Sequence, residues 1–274
     1  MPMTDRVAAN GPLALQELRG FIFDLDGTLY RGTTILPGAA EFITGLRRAG
    51  IPYLFLTNNS TTTPQGVAER LTRMGIAATL DDVLTSAQAT AATLAEEAPG
   101  CRVYMVGEAG VREALLSAGL ALTENFREAD VVVVGMDREA TYARLRDAAL
   151  AIRRGAAFIA TNTDRTLPTE DGLIPGAGSL VGMLEIATDV KARVIGKPSP
   201  GILLQALRRL NTRAAFTGAV GDRPETDIVG GQAAGLRTIA VLTGAGTAEA
   251  FAAMQPPPDW VFGDMIDLDR MYFG

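Results

Sequence analysis

The sequence predicts an α/β fold: a doubly wound parallel-sheet core with an inserted α/β unit. Three observations carry this. Apolar runs of strand character alternate with amphipathic, helix-like runs along most of the 274 residues. That order builds a parallel sheet with helices on both faces. Polar loops containing Asp24 and Asp26, Thr57 to Asn59, Lys197, and Asp222 and Asp227 follow predicted strands. Between the second and third of these loops runs a further set of strand–helix units. The core is assigned to residues 1–81 and 190–274, and the insert to 82–189.

Residues 1–12 read as a loose lead, and Leu13 to Leu18 as a short helix or turn. Phe21-Ile22-Phe23 is an apolar run with the character of a buried strand. Asp24 and Asp26 follow it two residues apart, so in an extended chain they share a side. Gly27 then permits a sharp turn. Pro37-Gly38 opens a helix over Ala39 to Ala49, and Gly50 closes it. Ile51 to Leu56 is a strand ending in Thr57-Asn58-Asn59-Ser60, and Pro64 to Met74 is a helix stopped by Gly75.

In the insert, helices are expected over Ala87 to Glu97, Gly110 to Ala118, Tyr142 to Arg154 and Ser179 to Ala187. Strands are expected at Arg102 to Val106, Asp130 to Gly135 and Phe158 to Thr161, with a loop over Asn162 to Pro175. Gly176-Ala177-Gly178-Ser179 reads as a helix entry capped near Ser179 rather than a phosphate cradle. Val194 to Gly196 is a strand tip before Lys197-Pro198-Ser199-Pro200, and Gly201 to Leu210 a helix. Ala215 to Val220 leads to Gly221-Asp222, and Ile228 to Ala234 is helical. Thr238 to Leu242 and Trp260 to Phe262 are the last strands.

Composition removes whole classes of chemistry. With no histidine, Ser-His-Asp and Cys-His catalysis and His-ligated metals are excluded. A single cysteine, Cys101, excludes an intrachain disulfide and a multi-cysteine zinc site. A net charge of -6 disfavours nonspecific nucleic-acid binding. No apolar stretch approaches the ~20 residues of a membrane span, and the start lacks the pattern of a signal peptide. The expected location is therefore cytoplasmic, with no membrane or nucleic-acid partner. Catalysis must rest on carboxylates, Lys, hydroxyls, amides or a bound ion, and carboxylate ligands suit Mg²⁺.

If their strands share one sheet, the four loops gather at one edge, where ligands of open α/β sheets bind. That edge would join carboxylates, an ammonium, a hydroxyl and amides, the needs of a Mg²⁺-bound phosphate site. Singly, each motif also fits an ordinary turn or cap; their joint order is what points to chemistry.

From residue 20 onward the chain resembles the haloacid dehalogenase-like hydrolase superfamily, within it the NagD-like and 4-nitrophenylphosphatase-like branch, subfamily IIA. Asp24-Leu25-Asp26-Gly27-Thr28, Thr57-Asn58-Asn59-Ser60, Gly196-Lys197-Pro198-Ser199-Pro200 and Gly221-Asp222 with Thr226-Asp227 match its four motifs in order. Pro224 departs from the pattern, where a larger apolar residue is expected.

The resemblance implies Mg²⁺-dependent hydrolysis of a small phosphate monoester through an aspartyl-phosphate. Asp24 would be the nucleophile, and Asp26 the general acid and then base. The Asp24 carboxylate, the Asp26 main-chain carbonyl and Asp222 would hold the metal, with Asp227 supporting its water shell or Lys197. Thr57, Asn58 and Asn59 form the phosphate-binding motif, and Lys197 neutralises phosphate charge. The insert would be a cap over the active edge, and a homodimer through it is consistent with the resemblance. Leu167, in the loop from Thr161 to Gly172, would help select the ester; Arg165 reads as a solvated charge. Sugar phosphates, glycerol phosphate, phosphoglycolate, nucleoside monophosphates and pyridoxal phosphate are the implied substrate classes. A phosphotransferase or mutase with the same nucleophile, a dehalogenase, and a noncatalytic binder of phosphometabolites are the alternatives.

Overall fold

The computed structural model describes residues 13–169 and 172–274. The expected lead, residues 1–12, and Glu170 and Asp171 of the expected loop lie outside the described residues. In chain order, the first half holds β1 (Gly20–Phe23), β2 (Tyr30–Arg31), β3 (Thr34–Ile35), α1 (Ala39–Arg48), β4 (Tyr53–Thr57), α2 (Pro64–Arg73), β5 (Val83–Thr85), α3 (Ser86–Glu97), β6 (Arg102–Val106), α4 (Ala109–Ser117), β7 (Ala121–Leu122) and β8 (Val131–Val134). The second half holds α5 (Tyr142–Arg153), β9 (Ala157–Ala160), β10 (Thr166–Thr169), β11 (Gly172–Pro175), α6 (Ala177–Thr188), β12 (Arg193–Val194), α7 (Pro200–Leu210), β13 (Thr217–Gly221), α8 (Val229–Ala233), β14 (Arg237–Val241), α9 (Ala248–Ala252), β15 (Trp260–Phe262) and α10 (Met265–Phe273).

Two parallel sheets organise the chain. The first runs β15-β14-β13-β1-β4-β5. The second runs β12-β9-β8-β6-β7. In the first, Phe23 lies opposite both Val220 and Phe55. The residues just past β1, β4 and β13 therefore emerge side by side.

Alternation along β1 builds two cores. Phe21 and Phe23 face Phe42 of α1, with the Phe21 and Phe42 rings edge-on and their centroids 5.5 Å apart. Tyr272 of α10 closes the same cluster, its ring 5.1 Å from that of Phe21. Ile22, Leu54 and Leu56 turn to the other face, into a cluster with Ile202, Leu203 and Leu207 of α7. Each such fully buried side chain contributes about 1.5–3 kcal/mol relative to exposure, so the two faces hold β1 in the middle of the sheet. That second cluster runs on through α3 into Val103, Val131 and Val133 of the smaller sheet. Gln205 ties α7 to α3, donating to the Ala89 carbonyl at 3.2 Å and Thr93 Oγ1 at 3.0 Å.

The structure departs from the sequence expectations at several places. The expected loop from Asn162 to Pro175 contains the β10–β11 hairpin, a two-stranded ribbon in which a proline is tolerated because both strands are edges. β5 was unexpected and pairs with β4 in the larger sheet, whereas β12 pairs with β9 in the smaller one. Strand membership thus differs from the expected insert of 82–189 by a few residues at each end. The helix entry begins earlier than expected: Gly176 is the N-cap residue of α6, and Ser179 lies inside the helix. No helix among the described residues is long and apolar enough to cross a membrane.

Candidate active site

The site begins where β1 ends. The Asp24 amide continues the ladder one step, donating to the Val220 carbonyl at 2.9 Å. Asp24, Asp26, Thr57, Asn58, Asn59 and Lys197 all line one cavity of about 370 Å³. Asp222 and Asp227 come from the neighbouring β13 and its following turn, and both are buried.

Lys197 reaches this edge by another route than expected. It follows β12, the outer strand of the smaller sheet, rather than a strand of the larger one. The crossing is tight: the Gly196 amide donates to the Thr161 carbonyl at 2.9 Å, and a β-carbon at Gly196 would lie 2.3 Å from that oxygen. The Lys197 ammonium then sits between two carboxylates, 2.6 Å from Asp24 Oδ1 and 2.7 Å from Asp227 Oδ1. Burial opposes its charge, but Asp227 and Asp24 together raise its pKa, so the ammonium stays protonated. Burial raises the Asp24 carboxyl to about 7; Lys197 pulls it down, and Asp227 and Asp222 push it up. Asp222 is also raised, first by burial and then by Asp227.

A fifth loop, absent from the sequence reading, holds Asp222. After β14, the Ala245 amide donates to Asp222 Oδ2 at 2.7 Å, and the Gly246 amide to the Asp222 carbonyl at 2.9 Å. A β-carbon at Gly244 would sit 1.9 Å from Asp222 Oδ2. Thr28 Oγ1 donates to Asp222 Oδ1 from the other side at 3.4 Å.

The second motif divides its labour. The Thr57 hydroxyl oxygen accepts from the Asn59 amide at 3.0 Å, leaving its own proton for a ligand. Asn59 is exposed, and its Oδ1 closes the local turn by accepting from the Thr61 amide and hydroxyl. The Asn58 side chain faces inward. Its Nδ2 donates to the Lys197 carbonyl at 3.0 Å and to Asp164 Oδ1 at 3.3 Å, and its Oδ1 accepts from the Lys197 amide at 2.9 Å. The Asn58 carbonyl accepts from Ser86 Oγ at 2.7 Å and Asn162 Nδ2 at 2.8 Å.

Part of the remaining wall comes from the smaller sheet and the hairpin. Met136, Arg138, Asp164, Thr166, Leu167, Gly176 and Ala177 line it. Leu167 is half-buried there, whereas Arg165 is exposed and off the wall. At the start of α6, the Gly176 and Gly178 amides donate to the Arg165 and Asp164 carbonyls, so they brace the hairpin. Sequence reasoning also missed Tyr30, Arg70, Asp164 and Arg223. Two of these stood next to recognised signals: Arg223 follows Asp222, and Asp164 shares the loop of Leu167.

A divalent cation fits this set. Asp24, Asp222 and Asp227 each offer a carboxylate oxygen, all within 4.8 Å of one another. An all-oxygen donor set suits a hard cation such as Mg²⁺. Three carboxylates beside one ammonium leave excess negative charge for it to offset.

Comparison with known proteins places the chain in a family. Residues 21–121 match the family described as Haloacid dehalogenase-like hydrolase, and residues 194–268 the family described as HAD-hydrolase-like. The acid sugar phosphatase of Staphylococcus aureus is 42% identical over 251 residues, 92% of this chain and 96% of that protein. A double mutant of the thermostable NPPase from Geobacillus stearothermophilus is 42% identical with a TM-score of 0.87, covering 92% of this chain and 98% of that one. The glycerol phosphate phosphatase of Mycobacterium tuberculosis, solved in complex with magnesium, is 40% identical with a TM-score of 0.88, covering 93% of this chain and 77% of that one.

Proposed function

The chain belongs to the haloacid dehalogenase-like hydrolases and is a phosphatase, and from that premise we propose that it hydrolyses small-molecule phosphate monoesters through an aspartyl-phosphate on Asp24, with Mg²⁺ as cofactor. The observation that carries this reading is the Lys197 ammonium 2.6 Å from Asp24, on the cavity wall and inside a carboxylate cluster. An anionic nucleophile meets an anionic phosphate here, and a fixed positive charge lowers that repulsion.

In the first step, an Asp24 oxygen bonds to phosphorus as the ester oxygen leaves, and Asp26 gives that oxygen a proton. In the second, water attacks phosphorus, the Asp24–phosphorus bond breaks, and Asp26 takes the water's proton. Thr57 donates its hydroxyl proton to a phosphate oxygen, the Asn58 amide holds another, and Asn59 fixes the turn that presents them. The Asp24 and Asp222 carboxylates and the Asp26 carbonyl would hold Mg²⁺, while Asp227 anchors Lys197. The bound cation supplies charge neutralisation and keeps Asp24 ionised.

The domain division belongs to the same proposal. The larger-sheet unit acts as the catalytic core and the smaller-sheet unit as a cap that covers the leaving group and limits water. The bounds 1–81 with 190–274, and 82–189, serve as its frame, with β5 counted to the core and β12 to the cap. The acid sugar phosphatase and glycerol phosphate phosphatase among its relatives favour sugar and glycerol phosphates as the candidate esters. The test is phosphate release from 4-nitrophenyl phosphate with and without Mg²⁺, with mass spectrometry of acid-quenched enzyme to locate the phosphoryl group. Turnover without label on Asp24, or full turnover in metal-free buffer, contradicts the mechanism.

A further inference from the structure

The wall beside Asp26 carries a guanidinium that the two chemical steps do not use. Arg70, on α2, lines the cavity together with Tyr30 and Gly32. Its guanidinium lies over the Tyr30 ring, 4.7 Å from the centroid, and donates to the Gly32 carbonyl. The ring beneath it is fixed, since Tyr30 is 6% exposed and its backbone bridges to Asp26 and pairs with Ile35. Cation–π seating and one hydrogen bond hold the group in place while leaving other N–H donors of its fork unspent.

Among the described residues its charge has no acidic partner within salt-bridge distance. Lys197 is held between Asp24 and Asp227, and Arg138 makes a two-point contact with Glu108, at 2.8 and 2.6 Å. Among the described residues Arg223 forms no salt bridge; burial opposes its charge, but Asp222, Asp164, Asp24 and Asp227 favour it. Arg70 has no salt bridge among the described residues. A preorganised guanidinium on a cavity wall, with no carboxylate of its own, is complementary to a carboxylate on a ligand. The backbone bridge between Tyr30 and Asp26 sets the Arg70–Tyr30 pair beside the residue proposed to protonate the leaving oxygen, on the wall of the same cavity.

We propose that Arg70, seated on Tyr30, is a specificity-determining residue that binds a carboxylate on the leaving group, so that phosphate monoesters of small hydroxy acids are preferred over their neutral counterparts. This rests on the phosphatase reading above and narrows its substrate class. A planar fork can take a carboxylate through two parallel hydrogen bonds, which a hydroxymethyl group cannot reproduce.

The test uses a pair of esters matched in size, phosphoglycolate and 2-hydroxyethyl phosphate, with 4-nitrophenyl phosphate as control, all in Mg²⁺. For wild type, kcat/KM should favour phosphoglycolate over 2-hydroxyethyl phosphate by about tenfold or more, and in Arg70→Gln that ratio should fall by about tenfold. Arg70→Lys keeps the charge but loses the fork, and its ratio should lie between. Should Arg70→Gln fail to fold, the Arg70→Lys ratio decides. A wild-type ratio near one, or a ratio that survives substitution, overturns the inference. So does an equal loss on all three esters with a lower Tm, because Arg70 would then only brace the β2–β3 turn at Gly32. Absence of turnover on all three esters, including the control, sinks the phosphatase reading itself and this inference with it.

Discussion

The Asn58 carboxamide grips the main chain of Lys197 at both ends: Oδ1 accepts from its amide at 2.9 Å, and Nδ2 donates to its carbonyl at 3.0 Å. Lys197 is the residue that enters from the smaller sheet, so this clamp registers one unit against the other. The aim of the ammonium at Asp24 depends on it. Asn58→Ala would leave two buried main-chain groups unpaired, each costing about 1–3 kcal/mol. The expected result is a lower Tm together with a fall in kcat of about tenfold or more at saturating 4-nitrophenyl phosphate. Thermal unfolding and steady-state kinetics on the same preparation check it; a lower Tm with unchanged kcat would mean that the clamp serves folding alone.

Asp24→Asn should abolish turnover while keeping the fold, and it should also change the pH dependence of stability. The Asp24 carboxyl is raised from 3.8 to about 7, chiefly by burial. A raised folded-state value means that the stabilising contribution is complete below 3.8 and is lost as pH rises through 7. The metal-free Asn variant should therefore gain Tm relative to wild type between pH 4 and pH 8. Mg²⁺ favours the ionised carboxylate and should shrink that gain. A Tm difference that is flat with pH contradicts the assignment.

Gly244→Ala tests the loop around Asp222. The new β-carbon would stand 1.9 Å from Asp222 Oδ2, so either the loop or the carboxylate must move. The apparent affinity for Mg²⁺ in the activity assay should fall by about tenfold or more, with a smaller change in KM for the ester at saturating metal. Titration of activity with Mg²⁺ in wild type and variant decides this; equal metal dependence would place Asp222 outside the ligand set.

Asp26→Asn should slow esters with poor leaving groups more than those with good ones, because 4-nitrophenolate leaves without a proton. Single-turnover rates for 4-nitrophenyl phosphate and an alkyl phosphate make the comparison. Equal slowing removes Asp26 from the role of acid.

Much of this architecture is written in local patterns. Phe21-Ile22-Phe23 and Leu54-Phe55-Leu56 are buried runs ending in polar residues, so two central strands and their loops could be read directly. Val83 to Thr85 is only three residues long and merges into a helix, so it leaves no periodic signal; β12 is two residues long and overlaps the expected strand tip at Val194, but so short a run does not say which sheet it joins. The condition that all four loops follow strands of one sheet therefore fails at Lys197, which follows β12 of the smaller sheet. The Asn58 clamp spans 139 residues, and the Ala245 amide is a main-chain donor without a side-chain signature. Arg70 sits in an amphipathic helix, where an arginine reads as a solvated charge until Tyr30 is seen beneath it.

The last prediction concerns Leu167, the one apolar side chain that the sequence had already put forward for choosing among esters. It stands on β10 opposite Ile174 of β11 and is half-buried on the cavity wall. The core loops of Asp24, Thr57 and Lys197 meet features common to every phosphate monoester, so they cannot rank leaving groups. Leu167 offers contact area without a hydrogen bond, and a contact of methylene size discriminates by about 1–3 kcal/mol. Leu167→Ala should therefore reorder a panel of esters, lowering kcat/KM most for those with bulky apolar leaving groups, by about tenfold. The Mg²⁺ dependence should not change, because none of the carboxylates in the cluster lies on the hairpin. Measuring the panel in wild type and variant separates the cases: a uniform change across all esters would move discrimination away from Leu167 to other residues of the wall, such as Met136.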